Sequence, residues 1–202
     1  VSSVHRAGDA RILHKEAATL ARAGYEVVLI AQGEGAPLPV AGVRLVDLPR
    51  TTQRWRRPAN WWRLWRWALR ERAGIYHFHD PELLPWGLLL QRVARRPVIY
   101  DAHEDYAAKV LVRGWIPSAL RRPLRAVVQW AEPAMARRLA ATVTADYLTA
   151  QSLAARGVPQ PTVLYNYPLL DVCARPDPER WANLPAAPSL LFVGTLGADR
   201  GL

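Results

Sequence analysis

The chain has 202 residues, half of them apolar, which is enough for one full domain and the start of another. A single cysteine, Cys173, excludes an internal disulfide and fits a reducing compartment. The net charge of +10 comes almost wholly from arginine, since Lys15 and Lys109 are the only lysines, and it favours anionic partners: phosphates, acidic lipid or nucleic acid. Apolar runs such as Leu83 to Leu90 fall far below the ~20 residues of a spanning helix, and no signal peptide is visible.

The first residues, Val1 to Val4, read as the tail of a strand, and the lack of a Met there marks a fragment of a longer protein. Asp9 to Ala23 reads as a helix, with Asp9 placed to cap it and Gly24 to end it. Leu13, Ala17, Leu20 and Ala21 share one face of that helix, and Arg11, Lys15 and Arg22 another. Tyr25–Ala31 is a nearly all-apolar strand, as in a sheet buried on both faces. Residues 33–39 form a loop, and Val43–Leu48 a third strand. A basic, Trp-rich helix follows, from Asn60 to Ala73.

Two similar stretches come next. Ile75-Tyr76-His77-Phe78-His79-Asp80-Pro81-Glu82 and Val98-Ile99-Tyr100-Asp101-Ala102-His103-Glu104 are each a short β-type run ending in histidine and carboxylate. Leu83 to Arg96 reads as the helix between them. This strand-helix-strand unit puts ionisable residues at the carboxyl ends of both strands, the edge where open α/β sheets bind ligands. Beyond Glu104, Pro117, Pro123 and Pro133 are expected to divide a helical region into pieces. Thr142–Thr144 is a short strand, Asp146 caps a helix running to Arg156 that Gly157 stops, and Thr162–Tyr165 is another strand. The alternation of strands and helices predicts an α/β fold: a Rossmann-like parallel sheet with helices on both faces. The expected organisation is a domain over residues 1–170, a Pro-rich linker over 171–188, and the start of a second domain over 189–202.

These residues carry a resemblance. Ser3-Val4-His5 with Asp9-x-Arg11-Ile12, then His79-Asp80-Pro81-Glu82, Tyr100-Asp101-Ala102-His103-Glu104, Tyr165-Asn166-Tyr167-Pro168, and finally Phe192-Val193-Gly194-Thr195-Leu196 with Arg200-Gly201, resemble in order and spacing the N-terminal half of glycosyltransferase family 4. The resemblance implies the N-terminal half of a two-domain GT-B fold. The first domain would hold the acceptor, and the second a nucleotide-sugar donor. The sugar would be transferred with retained configuration, without a cofactor or metal. It further implies a cytoplasmic, bacterial enzyme of envelope or exopolysaccharide synthesis, peripheral on the inner face of the plasma membrane, with a lipid-linked or glycan acceptor. Residues 1–202 alone are expected to be inactive, because the family's donor-binding Glu pair lies beyond them.

The resemblance places His103 beside the transferred sugar. An imidazole there would hydrogen-bond a sugar hydroxyl or share a proton near neutral pH; the plainer role is a structural histidine held by Asp101 or Glu104. His79, Asp80 and Glu82 suit an acceptor, since a carboxylate accepts bonds from adjacent hydroxyls, although Asp80 and Glu82 equally suit the cap and first turn of the next helix. His77 and His79 share a strand face, and with the nearby Asp they also suggest a metal site, which the family pattern makes unnecessary. Asp9 and Arg11 stand at the cleft mouth toward the acceptor, Arg11 alternatively as a solvated helix residue. Gly8 and the following helix start offer backbone amides to a donor phosphate. Gly194, Thr195 and Arg200 match the donor-binding loop, where Thr195 departs from the family's usual Arg.

In the Trp-rich helix, Trp61, Leu64, Trp65, Ala68 and Leu69 share one face, while Arg63, Arg66 and Arg70 share the opposite one, with Trp67 among them. A Trp among exposed arginines fits an anionic membrane surface; packing against a further domain and nucleic-acid binding are the alternatives. For the chain as a whole, the competing classes are a nucleotide-sugar 2-epimerase of the same architecture and a non-enzymatic basic Arg/Trp module for nucleic acid. No recognised nucleic-acid motif supports the latter.

Overall fold

The computed structural model describes residues 1–33, 40–49 and 57–168. The expected linker and second-domain strand, with Gly194, Thr195 and Arg200, lie outside the described residues. Residues Val1–Asn166 form one compact unit.

Among the described residues six strands are all parallel. β1 (Val27–Gln32) pairs with β2 (Val43–Leu48). β3 (Tyr76–Phe78), β4 (Val98–Ala102), β5 (Ala141–Thr144) and β6 (Thr162–Val163) form a second sheet in that order. The N-terminal segment lies between the two. Ser2 donates to the Ile30 carbonyl and Ala7 to that of Gln32 on one side, while His79 donates to the Val1 carbonyl on the other. Across the fold the order is therefore β2, β1, Val1–Ala7, β3, β4, β5, β6. That is the doubly wound arrangement, and its reversal point falls between the N-terminal segment and β3. The expected strand at Val1–Val4 is present as this hydrogen-bonded segment.

Helices flank the sheets. The first, α1, is π-helical over Ala10–Ala17 and α-helical over Ala18–Arg22. Asp9 caps it by accepting from the Arg11 and Ile12 amides, and Gly24 ends it at φ +88°. The π turn changes the buried face: Ile12, Leu13, Ala17 and Ala18 are buried, whereas Leu20, expected on the core side, is 43% exposed. α2 spans Arg57–Glu71 and α3 Leu84–Ala94, the latter preceded by a 3-10 turn at Pro81–Leu83. α4 covers Tyr106–Val112 and α6 Tyr147–Ala155, capped by Asp105 and Asp146 respectively. α5 runs unbroken through Ser118–Ala136 with Pro123 and Pro133 inside it. The expected division there does not occur; only Pro117 acts as a boundary, at the N-cap.

The main core lies where α2 and α3 cover β1, β2 and β3, around Leu64, Phe78, Leu83, Leu90 and Val98. Gly87 lets α3 approach closely: a Cβ there would sit 2.9 Å from the buried Phe78 ring and 3.4 Å from Val98 Cγ1. Gly87→Val should therefore destabilise the fold by roughly 1–3 kcal/mol through overpacking. Urea unfolding checks this, and an unchanged midpoint would refute the close approach.

Candidate functional site

Alternation along the strands decides which side chains meet. Tyr76 and Phe78 point into the core, so His77 and His79 share the other face of β3. The parallel register sets His77 beside Ile99, which brings His79 level with Asp101, and His103 follows on the same face. α1 covers this face with Arg11 and Glu16. Four of the chain's five histidines gather at the reversal point; the His5 and His103 rings lie 4.8 Å apart, and those of His77 and His79 stack at 4.6 Å.

Asp101 is the hub. It has no exposed surface. Its Oδ2 lies 3.4 Å from His79 Nδ1, 3.5 Å from His103 Nε2 and 3.8 Å from His77 Nε2. The buried Arg11 guanidinium clasps both carboxylate oxygens, with Nη2 at 3.1 Å from Oδ1 and 3.0 Å from Oδ2. Arg11 also donates to the Leu164 carbonyl at 2.7 Å and lies 2.9 Å from Glu16 Oε1. It is thus an internal clamp across the sheet, neither a solvated residue nor one at the cleft mouth.

The charges follow from this packing. Burial opposes the Asp101 carboxylate, but hydrogen bonds from His103 and His79 outweigh it and hold the carboxyl well below its usual range. Burial drives the other way at Glu16: with the Asp101 charge it outweighs Arg11 and pushes the carboxyl up to about 8. Burial keeps His77 and His79 neutral, pushing His77 down to about 4 and His79 well below normal. Arg11 and Asp101 then form the charged pair, with a protonated Glu16 between neutral imidazoles.

Asp80 and Glu82 are engaged within the fold. Asp80 makes no cap bond to the turn that follows it. Its Oδ2 accepts from Ser2 Oγ at 2.8 Å and the Ser3 amide at 2.6 Å, and its Oδ1 lies 3.2 Å from His5 Nδ1. Burial works against this carboxylate, yet His5, Ser2 and Ser3 hold it well below the usual range. Burial also works against a proton on His5, and Asp80 overcomes it, raising His5. Glu82 accepts from Ser3 Oγ at 2.7 Å and Trp61 Nε1 at 2.9 Å, with Arg57 at 3.4 Å. These two carboxylates brace the N-terminal segment and α2 at the rim. Gly8 is exposed beside the α1 start, where Asp9 takes the Arg11 and Ile12 amides.

On α2, Arg63, Arg66 and Arg70 are exposed as expected, but Trp67 is half-buried and packs against the core. Core packing therefore accounts for it, and Trp62 is the exposed indole. Among the described residues, no helix is long and apolar enough to cross a membrane.

Ligand atoms of Glu16, His77, His79 and Asp101 fall within 4.8 Å of one another, as a metal site would require. Arg11 already supplies the cation for two of these groups, and a metal would have to displace it. Glu16 and His5 belong to the cluster yet were not singled out from sequence. His5 sits in the quoted Ser3-Val4-His5 motif, whereas Glu16 had no signal, being five residues from Arg11. In an α-helix that spacing faces apart.

A parallel α/β domain with its histidines and carboxylates gathered at the strand-order reversal belongs to the doubly wound ligand-binding class. Residues 8–168 match the glycosyl transferase 4-like domain, and the chain belongs to that family. No curated protein matches it. Two solved structures of Anabaena HepE, one in complex with UDP-glucose and one with UDP and glucose, share 13% identity with it at a TM-score of 0.50. Each covers 80% of this chain, and the chain spans 42% or 43% of theirs. At that identity the likeness concerns the fold, a parallel α/β sheet flanked by helices.

Glu16 sets a pH dependence. Its carboxyl is raised from 4.5 to about 8, so the native state keeps a proton that the unfolded chain releases between those values. Stability contributed this way is full below 4.5 and falls as pH rises, by at most about 1.4 kcal/mol per unit. Glu16→Gln should flatten that slope, as urea midpoints across the window will register.

Proposed function

We propose that the chain supplies the acceptor-binding half of a glycosyltransferase, which moves a hexosyl group from a nucleotide-sugar donor to a glycan or lipid-linked acceptor with retained configuration. The observation that carries this is the His103–Asp101–His79 cluster at the strand-order reversal, in a chain of the glycosyl transferase 4-like family. Asp101 and His79 engage His103 Nε2, leaving Nδ1 as the nitrogen for a sugar hydroxyl. Fixing one ring nitrogen sets the orientation and tautomer of the other. His5, held by Asp80 at 3.2 Å, sets its ring 4.8 Å from that of His103 and borders the same space. Arg11 holds Asp101 and acts on the acceptor only through it; Asp9, Asp80 and Glu82 shape the rim. The donor contacts assigned to Gly194, Thr195 and Arg200 remain part of the proposal. We expect no resident metal, because Arg11 already neutralises the buried Asp101 carboxylate and occupies its oxygens.

His103→Ala in the whole protein should lower transfer by about 10²–10⁴-fold while nucleotide-sugar affinity changes little. A donor-release assay beside calorimetry separates the two, and undiminished transfer would remove His103 from the centre.

The exposed Arg63, Arg66 and Arg70 with Trp62 form a face for the anionic inner surface of a cytoplasmic membrane. Reversing the three arginines to glutamate should weaken flotation with anionic vesicles roughly a hundredfold or more. Equal binding to neutral vesicles would sink this reading.

A further inference from the structure

The edge of the sheet opposite the histidine cluster holds a concavity of its own. Here α3 and α5 end, β4 and β5 begin, and an open notch of about 370 Å³ lies between them. Among the described residues Arg95, Arg96 and Arg138 line it and no acidic side chain does. Nor is any of the three paired with a carboxylate among the described residues. The notch stands at the start of β4, and His103 follows its end. The 5 residues of that strand put roughly 16 Å between the two at the usual rise.

Helix dipoles explain part of this charge. The carbonyl ends of α3 and α5 attract cations, which accounts for an arginine at each. They do not account for three guanidiniums brought to one notch from two helix ends, where like charges repel. Arg95 is the C-cap of α3 at φ 52° and ψ 42°, the left-handed conformation that glycine usually supplies at a helix end. A basic side chain thus stands where the backbone prefers none. Arg96 follows beyond the helix.

The backbone that carries these groups is braced. Gln91 Nε2 donates to the Arg138 carbonyl at 2.9 Å and ties α3 to the end of α5. The Tyr76 amide donates to the Pro97 carbonyl at 3.0 Å, and the Ala140 amide to the Val98 carbonyl at 2.9 Å. The three arginine side chains themselves are exposed.

We propose that this notch is a binding site for a phosphate-rich anion, a diphosphate or longer, with Arg95, Arg96 and Arg138 donating to its oxygens. Planar guanidinium forks match phosphate oxygens and stay charged at physiological pH. Three uncompensated cations in one place call for a multivalent anion. A free polyphosphate and a phosphorylated lipid headgroup share this chemistry. The site does not depend on the transferase reading, which puts donor and acceptor at the other edge.

Inorganic tripolyphosphate is the probe, titrated by calorimetry into the whole protein already saturated with nucleotide-sugar, so that a donor site is filled. It should bind, and Arg95→Gln, Arg96→Gln and Arg138→Gln together should weaken it about a hundredfold, as the loss of charge-assisted bonds requires. Arg95→Gly, which suits the left-handed backbone and so keeps the fold, should weaken it about tenfold alone. Arg63→Gln, Arg66→Gln and Arg70→Gln on α2 remove the same charge elsewhere and should leave the affinity within about twofold, since salt screens distant exposed charges. Flotation with phosphatidylglycerol vesicles separates the two sources. A notch variant that floats like the wild type marks a free anion, and one that loses flotation marks a lipid headgroup. Absence of tripolyphosphate binding at millimolar concentration overturns the site. An equal loss in the notch and α2 variants overturns it too, because the anion would then respond only to net charge. Failure of the nucleotide-sugar itself to bind sinks the transferase reading and leaves the titration of the notch unaffected.

Discussion

The Arg11–Asp101 pair organises this domain. A carboxylate with no exposed surface at the end of β4 is held in both oxygens by a guanidinium from α1, and the same guanidinium reaches the carbonyl of Leu164 beyond β6. One side chain thus ties a helix to two strands across the sheet. Removing either member of such a pair leaves an uncompensated buried charge, with a cost of about 3–5 kcal/mol. The histidines depend on the pair as well. Asp101 can orient His79 and His103 only because its own charge is already balanced.

Much of the scaffold was legible because period and punctuation agree. Val43–Leu48 was read to the residue, and Asp9, Asp146, Gly24 and Gly157 marked helix ends where their side chains or positive φ require them. Period-two alternation placed His77 and His79 on one face, and the strand register then sets Asp101 and His103 beside them. What escaped the reading depended on winding or on long-range contact. The π turn moved Leu20 to solvent and swung Glu16 onto Arg11, and nothing in local sequence announced it. Pro123 and Pro133 break helices in general, yet α5 absorbs both. Asp80 has the local signature of a cap, but Ser2, Ser3 and His5 outbid the neighbouring amides from the far end of the chain. Glu132 lies in an unremarkable helix, and only the fold shows it buried against the Tyr100 hydroxyl.

The site also separates its charge from that of the surface. The exterior is strongly basic. The interior of the cluster is close to neutral, because burial keeps His77, His79 and Glu16 uncharged while Arg11 and Asp101 cancel. A basic exterior draws anionic substrates in by long-range attraction. A neutral, hydrogen-bonding interior reads hydroxyls at short range. The two requirements are met by different residues.

The placement of Val1–Ala7 between β1 and β3 has a consequence for how the domain is made. Ser3 and Asp80, which meet at 2.6 Å, are 77 residues apart in the chain. The segment is translated before either of the strands it joins, yet it cannot be paired on both sides until β3 has left the ribosome. Contacts of such separation form late and slow folding. Until then the segment can pair with β1 alone, and its other edge stays open to other chains. The histidine cluster is therefore among the last features to assemble, and its appearance reports that the two sheets have joined.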